Sequence, residues 1–103
     1  MINEILKALG VPYCETMFDR TPSGDYAVYF DDVTADGPDC CNRIFTHDIT
    51  VELYEAKPNP KLEQALEGQL NSRGIHWSKQ ARYWVQGADR YQVIYEFTYI
   101  EKV

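Results

Sequence analysis

A chain of 103 residues is long enough for one domain with its own core, so neither a metal nor a disulfide is needed to hold it together. Sixteen acidic residues against ten scattered basic ones give a net charge of −6, which argues against direct duplex binding and against an anionic membrane, since both need clustered cations. Aromatic residues make up 14%, with eight tyrosines, which argues for a folded chain, and no apolar run reaches the ~18 residues of a membrane helix.

The N-terminal MINEILKALG lacks the long apolar stretch of a signal peptide, so the chain is expected to be made and kept in the cytosol. Cys14, Cys40 and Cys41 are odd in number and include an adjacent pair, which reads as three reduced thiols. Ile2, Ile5, Leu6 and Leu9 share a helical face, with Gly10 as the cap and Pro12 beyond it. PYCETMF reads as an extended segment, and Pro22 and Gly24 mark a turn. Tyr26 to Val33, YAVYFDDV, has the aromatic and β-branched content of a strand, followed by the acidic loop TADGPDCCN.

RIFTHDITVELYE alternates most clearly. Phe45, Ile49, Val51 and Leu53 fall on one face, and Thr46, Asp48, Thr50 and Glu52 on the other. The run is longer than the usual strand of about five or six residues, so part of it should project beyond the core. Asn59 and Pro60 suit an N-cap and a first helical position. Leu62, Ala65, Leu66, Gln69 and Leu70 then recur at helical spacing up to Gly74. Gly68 lies inside that helix, and close packing is a reason for it to be there. IHWSKQARYWV and RYQVIYEFTYIEK read as two more strands around the hairpin loop QGAD. In the last strand Tyr91, Val93, Tyr95, Phe97 and Tyr99 share a face.

The resulting expectation is an α+β domain covering residues 1–103. It has an antiparallel or mixed four-stranded sheet with two helices on one face, in the order αββαββ.

No constellation points to an enzyme. Asp39, Cys40, Cys41 and His47 lack the paired spacing of a zinc site, and His76 stands alone. A cysteine nucleophile drawn from Cys14, Cys40 or Cys41 with His47 or His76 would want an electropositive setting, whereas Cys40 and Cys41 lie in an acidic loop. Asp31, Asp32, Asp36 and Asp39 lack the alternation of a calcium loop. The chain is thus read as having no catalytic residue, no metal and no cofactor. Tyr91, Tyr95, Phe97 and Tyr99 could stack bases, but without a basic groove core packing explains them better. Trp77, Tyr83 and Trp84 precede the hairpin loop and are candidate interface aromatics. Asp48, Glu52 and Glu96 point away from the apolar stripes and form a candidate acidic wall.

The order of YAVYFDD, an acidic loop, HDITVELYEAKPNPKLEQALEGQL, GI and RYQVIYEFTYIEK resembles the tail-terminator or tail-completion (minor tail) proteins of long-tailed, noncontractile bacteriophages and prophages. The resemblance covers about Tyr26 to Lys102. It implies a structural protein of the virion tail that forms a ring, commonly a hexamer, on assembly. Such a ring ends the tail tube, faces the head–tail connector protein and lets DNA pass. The resemblance transfers no catalytic residue. In that setting Asp48, Glu52 and Glu96 would line the lumen and repel the passing duplex. Two other classes stand beside it: a small acidic inhibitor or DNA mimic docking on a host DNA-binding protein, and a small cysteine enzyme.

Overall fold

The computed structural model describes residues 1–36 and 44–102. The elements in chain order are α1 (Ile2–Lys7), β1 (Tyr13–Glu15), β2 (Tyr26–Asp36), β3 (Ile44–Glu55), α2 (Pro60–Ser72), β4 (Trp77–Lys79), β5 (Tyr83–Val85) and β6 (Arg90–Lys102). The strands form one six-stranded mixed sheet in the order β1-β2-β3-β6-β4, with β5 also paired to β6. This corrects the expected four-stranded sheet and its αββαββ order in two places.

The first is PYCETMF. Three of its residues form β1, parallel to β2 with Tyr13 opposite Ala27. The Ala27 amide donates to the Pro12 carbonyl and the Thr16 amide to the Tyr29 carbonyl. Three residues are too few for alternation to show in the sequence.

The second is IHWSKQARYWV, which is two strands. β4 pairs Lys79 with Tyr95, and the Gln80 amide extends the ladder to the Ile94 carbonyl. β5 resumes with Tyr83 opposite Gln92. Ala81 and Arg82 therefore face the single residue Val93, a bulge that re-aims a side chain toward the helices.

The long ladders follow the alternation in the sequence. β2 and β3 pair from Tyr26–Tyr54 to Asp36–Ile44, and β3 and β6 from Ile44–Lys102 to Glu55–Tyr91, both antiparallel. Ile49, Val51 and Leu53 are buried, and so are Val93, Tyr95 and Phe97. They join Ala27 and Tyr29 of β2, Ile2, Ile5 and Leu6 of α1 and Leu62, Leu66 and Leu70 of α2 in one core. Complete burial on β3 stops at Ile49, and Ile44 to His47 are only half-buried. The far ends of β2, β3 and β6 thus run on as a three-stranded ribbon beyond the core, in a molecule 48 Å long.

α2 is capped as its sequence predicts: the Asn59 side chain accepts from the Leu62 amide at 3.2 Å, and Pro60 opens the helix. Gly10 and Gly74, past the ends of α1 and α2, adopt φ of 75° and 68°, the left-handed cap conformation open to glycine. Gly68 differs from expectation. A Cβ there would meet nothing within 4 Å, so close packing does not account for it.

Candidate functional site

The strand register sorts the candidate residues by face. Side chains alternate across a strand, and directly opposed residues share a side. Asp48 lies opposite Thr98, Glu52 opposite Ile94 and Glu96 opposite Thr50. All three therefore stand on the face away from the helices. Asp32 joins them, directly opposite Asp48 on β2. The sequence places Asp32 within the strand YAVYFDDV but weighs it only as a calcium ligand, because the register that sets it opposite Asp48 is not a local property.

Like charges directly opposed in a sheet are destabilising. Asp48 is relieved by the Thr98 hydroxyl, which donates at 2.7 Å. Glu96 accepts from Gln80 Nε2 at 3.0 Å. Neither Asp48, Glu52 nor Glu96 has an ion-pair partner among the described residues.

Glu52 sits differently from the other two. It is half-buried and accepts from the Tyr54 hydroxyl at 2.9 Å, which in turn accepts from Gln92 Nε2 at 2.8 Å. Burial first, then the bond to Glu52, pushes the Tyr54 phenol up to about 12. The segment Thr16–Phe18 and the ring of Tyr26, stacked on Tyr54 at 4.8 Å, wall a hollow of about 240 Å³ beside it. Glu52 marks the covered end of the acidic face, and Asp32, Asp48 and Glu96 its open part.

The three candidate aromatics separate. Trp77 packs on the core, tilted against Tyr95 at 5.7 Å, and its indole N–H donates to Asn71 at 2.9 Å. Tyr83 and Trp84 on β5 are about half exposed, and Trp84 meets Tyr91 edge-on at 5.0 Å. Tyr91, Tyr95, Phe97 and Tyr99 face the helix side, with Tyr95 and Phe97 buried in the core.

Of the thiol candidates, Cys14 is half-buried, and burial followed by Asp19 raises its pKa, which disfavours the thiolate. Asp39, Cys40 and Cys41 lie outside the described residues. His47 is engaged on both nitrogens, Nδ1 with Asp31 at 2.9 Å and Nε2 with Glu101 at 3.1 Å, and stacks on Tyr99 at 4.5 Å. Burial alone would lower its pKa; the hydrogen bonds to Glu101 and Asp31 outweigh that and raise it. Three strands are thereby joined through one imidazole. Among the described residues no group of three or more His, Cys, Asp or Glu is arranged to hold a metal ion.

A buried ionic cluster went unread in the sequence. Glu55 and Glu63 are almost wholly buried. Arg82 bridges them, and Lys79 bridges Glu63 and Glu67 at 2.9 Å each. The Tyr95 hydroxyl donates to Glu67. One oxygen of Glu55 has no partner among the described protein groups. Burial, then the neighbouring Glu63 carboxyl, pushes the Glu55 carboxyl up to about 7. The available signals were the parity of Glu55 with Leu53 on β3 and the i,i+4 spacing of Glu63 and Glu67. Both signals are common on solvated surfaces as well.

No protein-family model and no curated protein matches the chain. Among solved structures, a chain from the virion of a native gene transfer agent particle is similar. Its TM-score is 0.58 at 13% identity, over 96% of this chain and 84% of that one. The likeness is one of fold.

Proposed function

We propose that the chain is a structural protein of a phage or prophage tail, a terminator that caps the tail tube as a ring and joins it to the head connector. The observation that carries this reading is the shared fold, across nearly the whole chain, with a component of a gene transfer agent virion. The sidedness of the sheet supports it. One face packs on the helices, and the other presents Asp32, Asp48 and Glu96, none of them ion-paired among the described residues, with Lys102 at the far end of β6. A conduit for DNA benefits from such a face, because attraction would retard the duplex. An acidic DNA mimic is less well served. It needs dense carboxylates at phosphate-like spacing, whereas here Thr46, Thr50 and Thr98 separate them.

The test is polymerisation of the cognate tail-tube protein with and without this chain, followed by electron microscopy. The expected result is tubes capped at one end that grow no further there. Tubes that elongate equally in its presence and carry no added density at either end would exclude the terminator role.

A further inference from the structure

The ionic cluster beneath the bulge holds more acid than base. Three carboxylates, Glu55, Glu63 and Glu67, meet two cations, Lys79 and Arg82. With every group ionised, one negative charge would be in excess where Glu55 and Glu63 are almost wholly buried. Burying an unbalanced charge is costly, and a carboxyl so placed keeps a proton instead.

The contacts show which carboxyl that is. Glu63 has Lys79 on one oxygen and Arg82 on the other. Glu67 has Lys79 and the Tyr95 hydroxyl, and it is partly exposed. Glu55 has only a share of Arg82, through Nε at 3.3 Å, and that bond and the Asn59 amide fall on the same oxygen. Its other oxygen is buried with no donor among the described residues. Glu55 is therefore the neutral member, in keeping with a carboxyl that burial pushes up to about 7. The other titratable groups around it add no cation. Tyr91 lies opposite on β6, Tyr95 donates to Glu67, and Asp25 accepts from the Ala56 amide and the Asn59 side chain.

Both cations stand on the part of the sheet that is held least. β4 and β5 each pair with β6 over three residues, and residues 78–84 are all exposed. Few buried contacts and exposed backbone bonds mark a segment that opens ahead of the rest. Beyond the Trp77–Asn71 bond, its polar ties to α2 and β3 among the described residues run through Lys79 and Arg82.

We infer that segment 79–85 is a proton-controlled latch, closed on α2 while Glu55 is neutral and released more readily once Glu55 ionises. An ionised Glu55 competes with Glu63 for one guanidinium and leaves its second oxygen unsolvated. Opening the segment lets water reach both carboxylates, and the Glu55 proton passes to solvent. In the open form Glu55 returns to its ordinary value of 4.5, against about 7 when closed. Opening thus releases a proton between pH 4.5 and about 7, and rising pH favours it there. Above about 7 both forms are ionised and the dependence ends. Tyr83 and Trp84 ride on this segment, so the latch sets how firmly these two exposed aromatics are held. None of this depends on the tail reading above.

The test is amide hydrogen exchange on the whole chain from pH 4.5 to 8, expressed as protection factors. The reporter is the Gln80 amide, which donates to the Ile94 carbonyl. The reference is Val51 in β3, which lies between β2 and β6. Gln80 should be less protected than Val51, and its protection should fall by up to about tenfold per pH unit between 4.5 and 7, then level off. Glu55→Gln should abolish that fall and leave Gln80 less protected than Val51. Equal protection of the two amides at every pH would show that the segment opens only with the whole fold and would overturn the inference. So would a Gln80 protection that ignores pH, or a Glu55→Gln variant that keeps the wild-type fall. The wild-type series decides alone if the variant does not fold.

Discussion

Arg82 Nε donates to Oε1 of Glu55 across 3.3 Å, and Glu55 is fully buried while the guanidinium is about a third exposed. The same guanidinium holds Glu63, so one bulge residue contacts two carboxylates that packing has removed from water. Breaking a buried ion pair by deleting one partner costs roughly 3–5 kcal/mol. Solvent access to Arg82 lowers that, and Arg82→Ala should destabilise the fold by about 2–3 kcal/mol. Urea unfolding should show a lower midpoint with an unchanged slope. A loss within about 0.5 kcal/mol, the range of ordinary surface substitutions, would mean that the cluster is not formed in solution.

Glu55 also gives stability a pH dependence of definite sign. Its carboxyl is pushed from 4.5 to about 7, so the fold favours the protonated form. Its contribution is full below 4.5, shrinks as pH rises and is gone above about 7. Glu63 is shifted the other way: burial would raise it, but Arg82 and its other partners hold it below 4.5. Its contribution fades only at more acid pH. Glu55→Gln should therefore flatten the fall in stability between pH 4.5 and 7 and gain on the wild type as pH rises. Parallel wild-type and variant profiles across that window would contradict the assignment.

His47 should be visible directly by NMR. Its pKa is raised above 6.5, so its stabilisation is present below 6.5 and lost as pH rises through the folded value. Burial pulls against the bonds to Glu101 and Asp31, and Asp31 is the less exposed of these two partners. Asp31→Asn should bring the imidazole titration down, with a larger effect than Glu101→Gln. An unchanged titration in Asp31→Asn would show that the clamp is open in solution.

What could be read from the sequence follows a physical divide. The alternation of Ile49, Val51 and Leu53 against Asp48, Thr50 and Glu52 is a property of neighbouring residues, and so is the Asn59–Pro60 start of α2; both were legible. β1 gains its place from a distant partner, through Pro12–Ala27 and Thr16–Tyr29 bonds, and no local pattern encodes that. The bulge at Ala81–Arg82 is likewise set by where Arg82 must reach, toward Glu55 and Glu63. The alternation in the sequence sets Asp48, Glu52 and Glu96 opposite in parity to the apolar residues, but the cover over Glu52 comes from Thr16–Phe18, which is remote in sequence.

Gly68 within α2 and Gly74 just past its end should respond in opposite directions. Gly68 is exposed in a helix interior, where alanine is favoured by up to about 1 kcal/mol, and nothing obstructs a Cβ. Gly68→Ala should raise the melting temperature. Gly74 lies at φ 68°, where a side chain costs roughly 1–2 kcal/mol. Gly74→Ala should lower it. Equal shifts in the two variants would mean that Gly74 does not hold the left-handed conformation past the end of α2.

The acidic face offers the functional counterpart. Under the proposed role its carboxylates keep a passing duplex from adhering, so reversing their sign should turn a smooth wall into a binding one. Asp48→Lys and Glu96→Lys should each be tolerated, because both side chains are exposed. Glu52→Lys should cost more, since Glu52 is half-buried and accepts from Tyr54. The clean reagent is therefore the double variant Asp48→Lys with Glu96→Lys, and the triple variant with Glu52→Lys is the stronger but less stable form. Both should slow DNA ejection from assembled particles, and the delay should shrink as salt rises, because screening weakens attraction between lysine and phosphate. Ejection at the wild-type rate at low salt, from particles shown to contain the double variant, would remove the acidic face from the mechanism.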